Sequence, residues 1–483
     1  MSQTTKKSAA IRIEKLLDDN SFVEVGSYVT ARSTDFNMAE TETPGDGVIT
    51  GYGTIGGCLV YVYSQDNSVL GGSMGEMHAK KIVNIYDQAM KMGAPIIGLI
   101  DCAGLRLQEA TDALDAFGKI YLSQTMASGV IPQIQAVFGN CGGGMAVSTA
   151  LTDFTFMESE KASLFVSAPN TLDGNYIDIL DTSSAKYQSE TTGLVDGTGT
   201  EDEVIEQIKT LVSVLPANNE DDMSYDECTD DLNRAVDIAG CVEDAALALS
   251  YISDNNFFFS VKKNFAPEMV TAFIRLNGQT IGCVANTSKY FDEDGNVALE
   301  CDKTLTAKGA RKATEFIDFC DAFQIPVLTL VNVKGYAATK GTEKHMAKAA
   351  ARLTYAFANA TVPKVSVIVG DAFGSAYLSM NSKSIGADMV YAWPQAKIGM
   401  MDAREAARII YEQEIEASDD QVATINAYTN QYNELQSSAI SAARRGYVDD
   451  IIDPAQTRQR LIAAFEMLFT KREDRPAKKH GTI

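Results

Sequence analysis

The feature that most constrains this chain is that it repeats itself at a fixed spacing. In the first half, Gly93-Ala-Pro95 precedes the apolar run 96–100 and then Asp101-Cys-Ala-Gly104; in the second, Ile325-Pro326 precedes the apolar run 327–331 and then Asn332-Val-Lys-Gly335. The spacing from Pro95 to Pro326 recurs. Val130-Ile-Pro132 leads into Gly139-Asn-Cys-Gly-Gly-Gly-Met145, and Val362-Pro363 leads into Gly370-Asp-Ala-Phe-Gly-Ser-Ala376, with Pro132 and Pro363 set apart by that same interval. A third, looser pair sets 51–63 against 275–286 and takes Cys58 with Cys283, a slightly shorter interval. The difference is assigned to a connecting loop. Shared β-α-β habits without duplication are the alternative, and a constant offset in ordered matches argues against them.

Each half reads as β-α-β. Residues 76–92 place Ile82, Ile85, Ala89 and Met92 at helical spacing before a short apolar strand, and 307–323 do the same with Ala313, Phe316, Ile317 and Cys320. Short, continuously apolar strands between helices indicate parallel strands covered on both faces, hence an α/β fold. From Glu201 to Gly240 there are twelve acids and two bases, which reads as a solvated helix and linker. The expected domains are 1–240 and 241–483.

Charge and composition then exclude whole classes of function. A formal net charge of −23 argues against a sequence-independent hold on nucleic acid or an anionic membrane. Three histidines (His78, His345, His480) leave no basis for a multi-histidine metal site, so none is expected. The eight cysteines are scattered, without a CxxC pair, and read as reduced thiols of a cytoplasmic protein. No window is apolar enough for a membrane span.

Two motifs are decoys. Gly51-Tyr-Gly53-Thr-Ile-Gly56 fits GxGxxG, yet a strand-like run follows where the dinucleotide fingerprint needs a helix. Ala89-Met-Lys91-Met92 copies a biotin-attachment tetrapeptide, but it ends an amphipathic helix, and the matching stretch of the other half is Cys320-Asp-Ala-Phe323.

The chemistry concentrates in the glycine turns: Asp101–Gly104 with Cys141–Gly144, and Asn332–Gly335 with Phe373–Ala376. Small residues let a carbonyl approach the backbone, and a helix start offers unpaired N–H donors. Two such turns side by side make an oxyanion hole, which stabilises an enolate without a titratable side chain. The plainer reading is close helix–strand packing; the pair's recurrence in both halves favours the functional one.

The segments GGSMGEMHAKKI (71–82), DCAGLRLQE (101–109), NCGGGMAVSTALTDF (140–154), FCDAFQIPVLTLV (319–331), 360–388 and the ending AKKHGTI (477–483) resemble the carboxyltransferase subunit of biotin-dependent acyl-CoA carboxylases and decarboxylases. The propionyl-CoA carboxylase β-subunit and the methylmalonyl-CoA decarboxylase α-subunit are the nearest types. The resemblance implies two tandem crotonase-like (ββα superhelix) domains. It implies acyl-CoA on the N-terminal domain of one subunit and biotin, on a separate carrier, against the C-terminal domain of another. A homo-oligomer follows, a dimer at least and commonly a hexamer, with biotin carboxylase or membrane decarboxylase subunits as further partners.

By the same resemblance, amides of Gly143 and Gly144 hold the thioester enolate and those of Ser375 and Ala376 hold the biotin enolate, while CO2 passes between them. Ala103, Gly104, Arg106, Gly335, Gly374 and Leu378 line the substrate sites, while side-chain chemistry gives Arg106 two readings, holding its loop first and meeting CoA phosphates second, and gives Lys81 a surface salt bridge first and a CoA phosphate second. Propionyl- or methylmalonyl-CoA is the expected thioester; a glutaconyl- or malonyl-CoA decarboxylase, another thioester-enolate enzyme, and a non-catalytic scaffold are the alternatives. Two departures from the family pattern are Leu378, where an acid is usual, and Lys334-Gly335-Tyr336 in place of PGF.

Overall fold

The computed structural model describes residues 8–221, 226–292, 294–476 and 480–481. The chain divides into two units, Met1–Asp222 and Met223–Ile483. In the first, strands β1 (Val48–Ile55) and β2 (Cys58–Gln65) form an antiparallel hairpin that turns at Gly56 and Gly57, both at positive φ. The GxGxxG glycines are therefore hairpin residues. Helix α1 (Glu76–Met92), strand β3 (Ile96–Cys102), helix α2 (Ala110–Ala127), strand β4 (Gln133–Gly142), helix α3 (Gly144–Ala150) and strand β5 (Phe154–Glu158) follow, with β2, β3, β4 and β5 pairing parallel in that order.

The second unit repeats the plan. A hairpin of β6 (Met269–Leu276) and β7 (Gln279–Asn286) leads to α4 (Ala307–Ala322), β8 (Val327–Val333), α5 (Lys340–Asn359), β9 (Lys364–Phe373), α6 (Gly374–Leu378) and β10 (Met389–Ala392). Again β7, β8, β9 and β10 pair parallel.

Strand register corrects the third sequence match. Tyr61 lies opposite Ile96 and Gly282 opposite Val327, so Tyr61 and Gly282 are the equivalent positions of the two hairpins. Cys58 therefore corresponds to Gln279, each opening the second strand of its hairpin, and Cys283 lies further along its strand. The second half is longer between β7 and α4, where an added hairpin of Lys289–Phe291 and Val297–Glu300 interrupts the repeat.

Local physics accounts for the elements. β3 and β8 are buried along their whole length, as strands sandwiched between helices must be. α1 buries Ile82, Ile85 and Ala89 and stops at Gly93, whose φ of +59° suits glycine, so the biotinylation look-alike is a helix end. Thr306 and Thr339 cap α4 and α5 by accepting the N–H of Gly309 and Thr342, each cap stabilising by about 1 kcal/mol.

Lys81 on α1 and Lys312 on α4 are spaced like Pro95 and Pro326 and act alike. Lys81 is buried and donates to the carbonyls of Gly45 (3.0 Å) and Val48; Lys312 is buried and donates to that of Phe265 (2.8 Å). Each ammonium thus satisfies carbonyls of the chain entering the hairpin. Lys81 makes neither the surface salt bridge nor the phosphate contact expected of it.

The acidic stretch is more ordered than a linker. Helix Glu201–Val214 opens on a Thr200–Glu203 capping box, and Asp230 pairs with Arg234 (2.8 Å) and Arg458 (3.5 Å). Residues 222–225 lie outside the described residues, as do 477–479 and 482–483 of the AKKHGTI ending. Among the described residues no helix is long and apolar enough to cross a membrane.

Candidate active site

β3 and β4 end side by side with Cys102 opposite Cys141; β8 and β9 end with Val333 opposite Ala372, the equivalent positions of the repeat. Even the irregularity repeats. In each unit the register shifts one residue earlier, at Asp101 between Ile100 and Cys102, and at Asn332 between Val331 and Val333. The neighbouring strand supplies a glycine at that point. A Cβ on Gly139 would overlap the Asp101 carboxylate, and one on Gly370 would come within 2.5 Å of Asn332 Oδ1. Such shifts bend a strand end and re-aim the residues beyond it.

Beyond them the first unit makes its glycine turn. Gly143 sits at φ +60°, ψ −122°, with open space where a Cβ would point. Its N–H donates to the carbonyl of Phe165 (2.9 Å), because the short strand Ser163–Phe165 pairs alongside β4. This corrects the expectation that Gly143 is a free donor. The N–H groups of Gly144 and Met145 begin α3 and precede its first i→i−4 acceptor. Gly144 is exposed, yet a side chain is barred: a Cβ would lie 2.6 Å from the Phe117 ring and 3.0 Å from the Tyr121 hydroxyl, which donates to the Gly144 carbonyl at 2.6 Å.

The adjoining turn is held from beneath. Ala103 is exposed, and Gly104, at φ +106°, is open on its Cβ side. The Met74 N–H donates to the Gly104 carbonyl (2.8 Å), and the Arg106 N–H to that of Met74 (2.9 Å). The Arg106 side chain is fully buried, donating to Asp46 (2.5 Å), Glu109 (2.7 Å) and the Ser73 carbonyl (2.8 Å). It therefore cannot meet a CoA phosphate; it clasps the loop. Ala110, at φ 42°, ψ −114°, marks backbone strain at the end of that clasp.

In the second unit Gly374 turns at φ +62° with the Met400 carbonyl 3.2 Å from a hypothetical Cβ. Ser375 is exposed, Ala376 buried and Leu378 half-exposed, all on α6. Gly335 and Tyr336 are held as their counterparts are: Tyr336 pairs parallel with Leu305 as Leu105 does with Met74, and the Ala337 N–H donates to the Leu305 carbonyl (3.0 Å) as the Arg106 N–H does to that of Met74. The difference is the side chain, since Ala337 stands where the first unit has Arg106.

The thiols and the imidazole nearest the first turn carry no charge. Burial pushes the Cys102 and Cys141 thiols up to about 11 and about 12, so both stay protonated. Burial, then the Arg106 charge, depresses His78 to about 3, leaving a neutral ring between Gln65 (3.2 Å) and the Asp46 carbonyl (2.9 Å). What the turn offers is backbone N–H donors in a fixed frame, suited to a developing oxyanion. Sequence reasoning missed the Phe165 carbonyl and the Phe117–Tyr121 wall; the i,i+4 aromatic pair on α2 was the available signal for the wall. Among the described residues no cluster could hold a metal ion.

A family model described as carboxyl transferase domain matches residues 2–483. The propionyl-CoA carboxylase carboxyltransferase subunit of Haloferax mediterranei is 41% identical over 491 residues, covering 99% of this chain and 93% of that protein. The methylmalonyl-CoA decarboxylase subunit alpha of Veillonella parvula is 40% identical over 493 residues, with coverage of 99% and 93%. Among solved structures, the transcarboxylase 12S crystal structure, a hexamer with methylmalonyl-coenzyme A and methylmalonic acid bound, superposes with a TM-score of 0.89 at 36% identity, covering 99% of this chain and 92% of that one.

Proposed function

The chain belongs to the carboxyl transferase family, and from that membership we propose how its two glycine turns divide a biotin-dependent acyl-CoA carboxyltransferase reaction. The first unit takes the acyl-CoA: the Gly144 and Met145 N–H groups receive the thioester oxygen as it gains charge, Gly143 shapes the turn, and Ala103 and Gly104 line the approach. Propionyl- and methylmalonyl-CoA are the favoured pair, in keeping with the relatives' names.

The second unit takes biotin. The donor set fits a neutral ureido ring: the exposed Ser375 and its neighbour Ala376 open a helix, Gly374 and Gly335 keep the approach clear, and Leu378 is apolar. Biotin, carried by a separate protein, would supply the CO2 carrier and the proton acceptor that these side chains lack. Exposed apolar residues flank both turns, Leu107, Val147 and Val166 at the first and Leu378 and Met400 at the second. We assign them to subunit contacts of a homo-oligomer, such as the hexamer described for transcarboxylase 12S. A cytoplasmic location accords with the eight free thiols.

The observation that carries this reading is the recurrence of the same strand-end irregularity and glycine turn in both units. Its test is turnover of methylmalonyl-, malonyl- and glutaconyl-CoA with free biotin. Biotin-dependent decarboxylation, fastest with methylmalonyl-CoA, is expected; no biotin-dependent turnover with any thioester would sink the reading.

A further inference from the structure

A groove of about 710 Å³ in the second unit lies between α4 and α5, and none of the glycine-turn residues lines it. Lys308 and Arg311 line it from α4, and Lys344, Lys348, Arg352 and Tyr355 from α5. Of the described residues that line it, two are carboxylates, Glu315 and Asp318. In a chain of net charge −23 this reverses the local field, and a basic concavity concentrates anions.

Lys344, Lys348 and Arg352 recur every fourth residue, so they stack along one face of α5, where like charges repel. α2, in the same place of the first unit, carries one base, Lys119, against Asp112 and Asp115. Across the groove, the Lys308 ammonium and the Arg311 guanidinium sit 5.4 and 4.8 Å from the centre of the Phe265 ring, which fixes both cations. His480 and Gly481 close one side, with Gly481 packed against the Tyr355 ring.

We propose that this groove binds an organic polyphosphate, its phosphates along the Lys344–Lys348–Arg352 row and its organic part against Tyr355. The volume is that of a small-molecule site, and guanidinium and ammonium groups on two facing helices suit a multiply charged phosphate chain. A free nucleoside triphosphate and the 3′-phospho-ADP end of coenzyme A share this chemistry.

Isothermal titration of the full-length protein with ATP, coenzyme A, pyrophosphate and inorganic phosphate tests it. ATP or coenzyme A should saturate the groove far more tightly than inorganic phosphate and weaken steeply from low to high salt. K348E combined with R352E should cost at least about tenfold in that affinity, and K348Q with R352Q a smaller part of it. Both pairs are exposed and should leave melting temperature and biotin-dependent turnover unchanged. An ATP equivalent lost in K348E/R352E, with coenzyme A binding untouched, identifies the nucleotide. Loss of a second coenzyme A equivalent, with the first retained, identifies coenzyme A. Binding no tighter than that of inorganic phosphate, or binding undiminished in K348E/R352E, overturns the proposal.

Discussion

The two units end their paired strands in the same way and pair the following loop alike, Leu105 with Met74 and Tyr336 with Leu305, but only the first also clasps it with a side chain. In the first, a buried guanidinium does it: Arg106 joins Asp46 from the chain entering β1 to Glu109 at the start of α2. In the second, Ala337 stands at that position, and the pairing of Gly335 and Tyr336 with Thr304 and Leu305 has no guanidinium behind it. The strand ends, constrained by the register shift, have kept one geometry. The loops beyond them keep the same backbone pairing and differ in the side chain that backs it. One scaffold thus presents two glycine turns with different support.

The sharpest way to break that symmetry is Arg106→Met. It leaves Asp46 and Glu109 buried without their cation, and such uncompensated charge costs about 3–5 kcal/mol. Thermal unfolding and hydrogen exchange should show the loss confined to the first unit. Tyr336→Phe, which removes only a hydroxyl 3.3 Å from Ser379 Oγ, should cost about 1 kcal/mol or less. Equal destabilisation by the two variants would mean that the buried guanidinium adds nothing to the hold on the first loop.

Next in size is a change in activity. Gly144→Val drives a side chain into Phe117 and Tyr121 and so displaces the donors of α3; a lost oxyanion donor lowers turnover by about 10²–10³. Ser375, one repeat on, is exposed and has room for a side chain. Steady-state kcat of Gly144→Val within about tenfold of the parent would remove the first turn from the reaction.

How much of this was legible in the sequence depended on range. The runs 96–100 and 327–331, with the turns after them, announce themselves because a doubly covered strand must be apolar throughout and a tight turn must be small. The hairpin offset misled, since Gly-Cys pairs recur within both hairpins and register depends on hydrogen bonds that composition does not encode. That Arg106 holds its loop was legible, but not what it grips, because its partner Asp46 lies far back along the chain, in the loop before β1. Gly143 read as a free donor because nothing in its neighbourhood shows that Phe165 returns beside it.

The buried lysines sharpen the comparison from the other side, since here the units agree. Lys81→Met and Lys312→Met each strand buried carbonyls and should cost about 1–3 kcal/mol by denaturant unfolding. Only Lys81 carries a pH signature that can be stated. Burial lowers its ammonium from 10.5 to about 8, so between those values the unfolded chain binds more protons than the folded one. Stability therefore rises with pH through that window, and Lys81→Met should flatten the rise. An unchanged slope would mean that the ammonium is not desolvated as its burial implies.

The smallest effect is the most discriminating about what the second turn contributes. Ser375 brings an N–H and a hydroxyl, and only the N–H belongs to a backbone oxyanion site. Ser375→Gly keeps the amide, leaves the positive-φ position at Gly374 untouched and removes only the hydroxyl. Turnover should then stay within about twofold, whereas a group bonding the transition state is worth about tenfold or more. A fall in kcat of about tenfold at unchanged KM would assign the hydroxyl a direct part, and the second turn would then differ from the first in chemistry as well as in its supporting loop.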